Sequence, residues 1–165
     1  DNMLMSYPKQ ANFAELNLLY SNDVSRFFSV CGEDLDKMEL CILLQMTFPG
    51  MPCVFYGDEQ GLTGVTEPEY RRPMIFEDKS PLFEVYKKLI KLRTQNKALR
   101  YGEFRTIASE GGLYGFKRIY RNDEICVYIN SGSNAVNLET SGDIIASKLY
   151  DNNVLNPHGY AVIRK

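Results

Sequence analysis

The first hundred residues repeat one order twice: an apolar run of strand length, a few polar residues, and an amphipathic helix. The apolar runs are 14–20 and 53–56. Buried parallel strands are continuous apolar runs, and a helical crossover must join them. The β-α-β-α order therefore predicts two units of a parallel α/β array such as a (β/α)8 barrel. Because two parallel strands cannot complete such a sheet, we expect these units to be part of a larger one.

The two helices are predicted from their ends as well as from their apolar spacing. The first begins at Asp34, a good N-cap residue, and the sequence Pro49-Gly50 stops it. The second begins at Ser80, has Pro81 at its first position and runs to about residue 96. Both carry apolar residues at helical spacing on one side, so both are expected to pack on the strands.

From about residue 102 the pattern changes to short alternating runs separated by turns. The segments 121–124 and 131–134 are rich in Asn, Asp, Ser and Gly, which favour turns between antiparallel strands. The sequence therefore predicts an α/β part followed by an all-β part, the latter a small antiparallel β-sandwich. The predicted domains are residues 1–99 and 100–165.

Cysteine and histidine usage predicts no metal site and no cofactor. The four cysteines are scattered without a CxxC pair, and the single histidine, His158, is far from all of them in sequence. We interpret the thiols as buried and reduced, which is typical of a cytoplasmic protein. His158 precedes the last predicted strand in a turn and is assigned no role. No signal peptide and no membrane-spanning apolar run are recognised.

The charge distribution offers one alternative function. Residues 71–121 contain 13 Lys and Arg against 5 Asp and Glu, an excess of 8. A basic surface of this kind is one signature of nucleic-acid binding. However, several of these lysines decorate the amphipathic helix after Ser80, and no nucleic-acid-binding motif accompanies them. We therefore predict a solvated helix face and no nucleic-acid partner.

Carboxylates follow both predicted strands of the first half, at the edge where α/β proteins carry their chemistry. They are Asp23 after the first run and Asp58-Glu59 after the second. Neighbouring strands lie about 4.8 Å apart, and carboxyl pairs separated by about 5 Å or more catalyse glycoside hydrolysis. The alternative is that these acids only form loop hydrogen bonds. Asp58 and Glu59 cannot themselves form such a pair, since adjacent strand residues face opposite ways.

The segments around these acids resemble the α-amylase family of glycoside hydrolases, with the closest resemblance to its cyclomaltodextrinases and neopullulanases. Residues 17–27 and 45–59 carry most of this similarity, and residues 70–74 and 86–93 extend it. The resemblance implies that the first half is the last two β/α units of a (β/α)8 TIM barrel. It implies that the second half is the antiparallel C-terminal sandwich of the family.

The resemblance also assigns site residues. The family uses three acids, of which only the third maps onto this chain, as Asp23, the catalytic residue that stabilises the transition state. Asn22 stands where the family normally has a histidine that contacts the sugar. Glu67 and Arg71 lie at positions that contact sugars away from the cleaved bond; the alternative is a surface salt bridge between them.

Supporting residues follow from the same resemblance. Arg26 and Arg72 are expected to anchor loops, and Asp58 and Glu59 are expected to be structural.

The implied function is part of a retaining α-glucan hydrolase, with no activity expected for the isolated chain because the nucleophile and the acid/base are missing from it. The expected substrates are maltodextrins, cyclodextrins or other α-glucans, cleaved at α-1,4 or, as a second option, α-1,6 bonds. The alternative is a non-catalytic carbohydrate-binding or scaffolding module, which the absence of Trp disfavours. Self-association is predicted through the exposed barrel strands, covering Leu16, Leu18, Val54 and Phe55.

Overall fold

The two long helices form where their caps and apolar spacing predict them. A computed structural model describes residues 6–76 and 80–165. Asp34 caps the first helix by accepting hydrogen bonds from the backbone N–H groups of Asp36 and Lys37. Ser80 caps the second by accepting from the N–H of Leu82. Both predicted helix starts are therefore confirmed.

The first part of the described chain contains helices and two short strands. In chain order these are α1 (Lys9–Ala14), β1 (Leu16–Leu18), α2 (Phe27–Val30), α3 (Leu35–Thr47), β2 (Met51–Cys53), a 3-10 turn (Glu69–Arg71), α4 (Pro81–Gln95) and α5 (Lys97–Tyr101). The second part is all strand. Its strands are β3 (Glu103–Glu110), β4 (Leu113–Tyr120), β5 (Asp123–Asn130), β6 (Val136–Asn137), β7 (Asp143–Asp151) and β8 (Val154–Arg164).

Strands β1 and β2 pair in parallel, as the β-α-β order predicts, with Leu16 opposite Met51 and Leu18 opposite Cys53. Both are shorter than the apolar runs, and β2 shares only one residue with the predicted segment 53–56. In the described part of the chain these two strands form a two-stranded sheet. The backbone beyond β2 finds other partners: the carbonyl oxygen of Tyr56 accepts a hydrogen bond from the Arg26 side chain instead.

The six strands of the second part form one continuous antiparallel sheet in the order β3-β4-β5-β8-β6, with β7 also paired to β8. The predicted antiparallel strands are confirmed, and their arrangement as a sandwich stays a prediction. Strand β8 is eleven residues long and pairs along its length with β5, β6 and β7. Register shifts in the β7–β8 pairing, near Ile144 and Leu149, accompany the curl of the sheet.

The main apolar core joins the helices to one face of this sheet. Its buried members include Ile42, Leu89 and Leu99 from α3, α4 and α5, and Val127 and Val162 from the sheet. A smaller cluster lies apart from it and consists of Leu138, Leu155, Ala161 and Ile163. The division into domains at residue 99 stays a prediction, because α5 crosses that residue and the main core draws on both parts.

Two buried arginines bind the carboxyl end of α3. Arg93 donates to the carbonyl oxygens of Met46 and Gly50 at 2.8 and 2.6 Å. Arg118, on β4, donates to the carbonyl oxygen of Thr47 at 2.6 Å. Burial lowers the pKa of both guanidinium groups. These cations satisfy carbonyl groups that the end of a helix leaves without partners, and they fix α3 to α4 and to the sheet.

None of the helices within residues 6–76 and 80–165 has the length and apolarity that a membrane span requires.

Candidate functional site

The two loops that follow β1 and β2 leave the same edge of the parallel pair. The loop after β1 carries Asn22 and Asp23, and the loop after β2 carries Glu67 and Arg71. The sequence predicts all four as site residues, although 44 positions separate Asp23 from Glu67. Parallel pairing of the strands is what brings the two loops to one edge.

Arg71 brings the four predicted residues together. Its Nε donates to the backbone carbonyl oxygen of Asn22 at 3.0 Å. Its Nη1 donates to Glu67 Oε1 at 2.6 Å, and its Nη2 lies 3.4 Å from Asp23 Oδ1. A single guanidinium group therefore bridges two carboxylates and one carbonyl group from two loops, which is the planar fork geometry that arginine provides.

The side chains of this group face solvent. The Asp23 side chain is 83% exposed, and Asn22 and Glu67 are also exposed. The long 3.4 Å contact and the exposure leave the Asp23 carboxylate accessible at the rim of the strand pair. Such a carboxylate can accept hydrogen bonds from a ligand, with Arg71 able to donate beside it.

Arg26 supports both loops from beneath, and its side chain is fully buried. It donates to the carbonyl oxygens of Tyr56 and Tyr70 at 2.6 and 3.0 Å. Its guanidinium carbon lies 4.5 Å from the ring centroid of Tyr20 and 4.6 Å from that of Tyr56. The prediction that Arg26 anchors loops is confirmed by these contacts.

Asp58, which the sequence predicts to be structural, is buried beside Arg26 with a separation of 3.6 Å between Oδ1 and Nη1. Burial raises the pKa of this carboxyl to about 6, and the neighbouring guanidinium only partly opposes the effect. Asp58 belongs to the support of the loops. Its neighbour Glu59 is half-buried.

Two further residues brace the loop after β2. Arg72 donates to the carbonyl oxygen of Thr63 at 2.7 Å, which confirms its predicted anchoring role. Glu69 accepts hydrogen bonds from the N–H groups of Thr66 and Val65, and these bonds lower the pKa of its carboxyl. Sequence reasoning missed Glu69. The signal was present, because Thr66 followed three residues later by Glu is the capping-box pattern.

His158 lies within β8, so its predicted placement in a turn before the last strand is wrong. Its backbone has a positive φ of 59°, a conformation that strands rarely contain and that turns favour, which explains the error. The side chain is half-buried next to Asp34 and Asp36. All four cysteines are free thiols.

Comparison with known proteins finds a family match in the first part of the chain. The family model of the α-amylase catalytic domain matches residues 1–79. The chain is 39% identical to a cyclomaltodextrinase of Geobacillus thermopakistaniensis, over 82% of this chain and 24% of the relative. It is 42% identical to neopullulanase 2 of Thermoactinomyces vulgaris, over 77% of this chain and 23% of the relative.

Structural similarity extends past the catalytic-domain match into the antiparallel sheet. The debranching enzyme of Nostoc punctiforme superposes with a TM-score of 0.90 and 28% identity, covering 99% of this chain and 38% of that enzyme. The homologues are α-amylase family glycoside hydrolases, as the sequence motifs predicted. The chain spans about a quarter of the length of the curated relatives it matches.

Proposed function

We propose that the chain supplies one wall of the active site of an α-glucan hydrolase, with Asp23 as the residue that stabilises the transition state. The names of the relatives, cyclomaltodextrinase and neopullulanase, support the substrate class. The observation that carries the proposal is the Arg71 bridge, which gathers Asn22, Asp23 and Glu67 at the edge where the strand pair ends.

Asp23 acts by accepting hydrogen bonds from hydroxyl groups of the sugar at the cleaved bond. These bonds strengthen as positive charge develops on the ring, so they stabilise the oxocarbenium-like transition state more than the bound substrate. Asn22 donates a hydrogen bond through its side-chain amide to the same sugar. The pair formed by Glu67 and Arg71 presents an acceptor beside donors, which suits two adjacent hydroxyl groups of a sugar further from the cleaved bond.

The isolated chain is expected to be inactive, since the other two family acids, a nucleophile and an acid/base, have no counterpart in its sequence. Assay of the purified chain on a chromogenic maltoside is expected to give no turnover. Activity that co-purifies with the chain and disappears in Asp23→Asn would show that the assignment of missing acids is wrong.

The role of Asp23 is tested in a chimera, in which this chain replaces the matching region of the Geobacillus cyclomaltodextrinase. The relative supplies the remaining acids, and β-cyclodextrin and maltoheptaose are the substrates. Asp23→Asn removes the charge and keeps the shape, and we expect kcat to fall about a hundred-fold or more. Asp151→Asn, on an exposed residue at the end of β7, is the matched control.

Two results would contradict the proposal. If the chimera is active and its Asp23→Asn and Asp151→Asn variants are equally active, Asp23 has no role in the reaction. Calorimetric binding of maltoheptaose by the isolated chain with micromolar affinity would instead favour the carbohydrate-binding module, because an incomplete hydrolase site is expected to hold the glucan only weakly.

A further inference from the structure

We propose that Asp34, Asp36 and His158 form a site for a divalent transition-metal ion of the zinc class, away from the Arg71 loops. One ligand atom from each of the three side chains lies within 4.8 Å of the other two. All three residues are half-buried, so the cluster is accessible to an ion without being fully solvated. Sequence spacing could not reveal this set, because His158 lies 124 positions after Asp34.

The helix start holds the two carboxylates in place. Asp34 Oδ1 accepts hydrogen bonds from the backbone N–H groups of Asp36 and Lys37 at 2.9 and 3.1 Å. These bonds fix the orientation of the Asp34 carboxylate at the start of the helix. Asp36 belongs to the first turn of α3 itself. The two aspartates therefore come from one rigid element.

The third ligand comes from the sheet. His158 has a left-handed backbone conformation in β8, close to the register shift where β7 contains Leu149, whose φ is also positive. The irregularity accompanies the placement of a β8 residue, His158, beside the start of α3. An ion at this point would join the helical part of the chain to the antiparallel sheet.

The donor set selects the kind of ion. Two carboxylate oxygens and one imidazole nitrogen suit Zn²⁺ or a similar borderline cation, whereas Ca²⁺ and Mg²⁺ prefer oxygen ligands throughout. Zinc bonds of about 2.0–2.2 Å place tetrahedral ligands roughly 3.4 Å apart. Half-exposed side chains can close that remaining gap by small rotations, and water would fill the fourth position.

The surrounding charges leave the cluster net negative. The carboxylates of the cluster are those of Asp34 and Asp36, and the carboxylate of Glu39 is joined to Asp36 through Lys148; two ammonium groups stand against these three. Lys148 Nζ lies 2.8 Å from Asp36 Oδ1 and 2.6 Å from Glu39 Oε2. Lys37 Nζ lies 3.5 Å from Asp34 Oδ2, and its side chain is 54% exposed and free to turn into solvent. The three carboxylates and two ammonium groups together leave one excess negative charge at the site that His158 completes.

The proposal is tested by titrating zinc chloride into the full 165-residue chain, in buffer freed of metals and kept reducing, with calorimetry and thermal unfolding as readouts. We expect one zinc ion per chain and a rise in Tm. His158→Gln and Asp34→Asn are each expected to weaken binding about ten-fold or more. Asparagine is also a good N-cap residue, so Asp34→Asn removes the ligand charge and keeps the helix cap. Asp151→Asn is the control and should bind as wild type does.

A second measurement separates this site from the thiols, because Cys31 and Cys41 line a groove together with His158. The absorption spectrum of the Co²⁺ form is expected to lack a thiolate-to-metal charge-transfer band, and the double variant Cys31→Ser/Cys41→Ser should keep its zinc affinity.

Four outcomes would overturn the proposal. They are no binding below about 1 mM zinc, binding that survives His158→Gln, binding lost in the serine double variant, and calcium affinity equal to zinc affinity. In the first case His158 only pairs with the two carboxylates. None of these measurements requires hydrolase activity, so they stand independently of the function proposed for Asp23.

Discussion

Arg71 Nη2 and Asp23 Oδ1 lie 3.4 Å apart, although the two residues are 48 positions apart in sequence. The contact is long, and the Asp23 side chain keeps 83% of its surface exposed. An exposed ion pair of this kind contributes about 0–1 kcal/mol to folding. The contact therefore matters more for geometry than for stability: Arg71 ties together the two loops and leaves the Asp23 carboxylate accessible to solvent.

Replacing Arg71 by Lys in the chimera is expected to raise KM for maltoheptaose about three- to ten-fold, with a smaller decrease in kcat. Lysine keeps the charge but cannot bridge Asn22, Asp23 and Glu67 with one planar group. Steady-state kinetics check the result, and Arg105→Lys, on an exposed arginine of β3, is the control. Unchanged kinetics in Arg71→Lys would mean that the contact between Arg71 and Glu67 is only a surface salt bridge.

Replacing Asn22 by His in the chimera is expected to raise kcat/KM about two- to ten-fold, the contribution of one better-placed hydrogen bond. The family position normally carries His, whose reach is longer than that of an amide. An imidazole also titrates near pH 6.5, so the variant should gain a pH dependence in that range that Asn22 cannot produce. Asn122→His, in the exposed β4–β5 turn, is the control. A loss of activity in Asn22→His would mean that this loop has adapted to the amide.

The helices could be predicted from the sequence because their signals are local. Asp34 and Ser80 bind backbone groups two or three residues away, and those bonds set the helix starts. The bounds of the strands were harder to predict. The predicted runs are residues 14–20 and 53–56, whereas the strands that pair are residues 16–18 and 51–53. Pairing depends on which neighbour offers a free edge, and an apolar run carries no information about that.

Contacts between distant residues explain what the sequence could not give at the site. The motifs indicate Asp23, Glu67 and Arg71 individually, but no spacing rule indicates that one guanidinium group connects them. The structural role of Arg26 depends on carbonyl oxygens 30 and 44 positions away. The position of His158 depends on a register shift in β7–β8, which is a property of the whole sheet.

Asp58 is expected to make stability fall as pH rises from about 4 to 6. Burial raises the pKa of Asp58 to about 6 in the folded chain, above its ordinary value of 3.8. Between these values the folded state holds the proton that the unfolded state has lost, so the free energy of unfolding decreases with pH, by up to about 3 kcal/mol. Urea unfolding of the wild-type chain and of Asp58→Asn is measured from pH 4 to 7. The difference between their free energies of unfolding should decrease over this range. A difference independent of pH would mean that Arg26 holds Asp58 ionised throughout.

Arg118→Met is expected to destabilise the chain by about 2–4 kcal/mol, because it leaves buried carbonyl groups without donors. Arg118 donates to the carbonyl oxygens of Thr47 and Gly102 and is itself fully buried. Methionine fills a similar volume, so the loss reports the hydrogen bonds more than a cavity. Arg105→Met, on the exposed face of β3, should change stability by less than about 0.5 kcal/mol. Equal Tm values for the two variants would show that the contacts at the end of α3 are dispensable.

Strand β1 is expected to drive association of the isolated chain in solution. In the described residues it pairs only with β2, and its Leu16 and Leu18 side chains are 60% and 47% exposed. The sequence also predicts that Val54 and Phe55 are covered in this association, but within the chain Phe55 already packs against Tyr20, with ring centroids 4.9 Å apart. We therefore expect Leu16 and Leu18 to be the residues covered on association, since an unpaired apolar strand edge binds other strands.

Sedimentation velocity tests this expectation as a function of concentration. The wild-type chain should form dimers or larger species, and Leu16→Lys/Leu18→Lys should shift it toward the monomer, because charge on an edge strand blocks strand addition. Leu35→Lys, at the exposed first position of α3, changes a similar side chain away from the edge and should leave association unchanged. A wild-type monomer at all concentrations would show that the β1 edge is not accessible, and equal effects of the two variants would indicate nonspecific charge repulsion in place of pairing at β1.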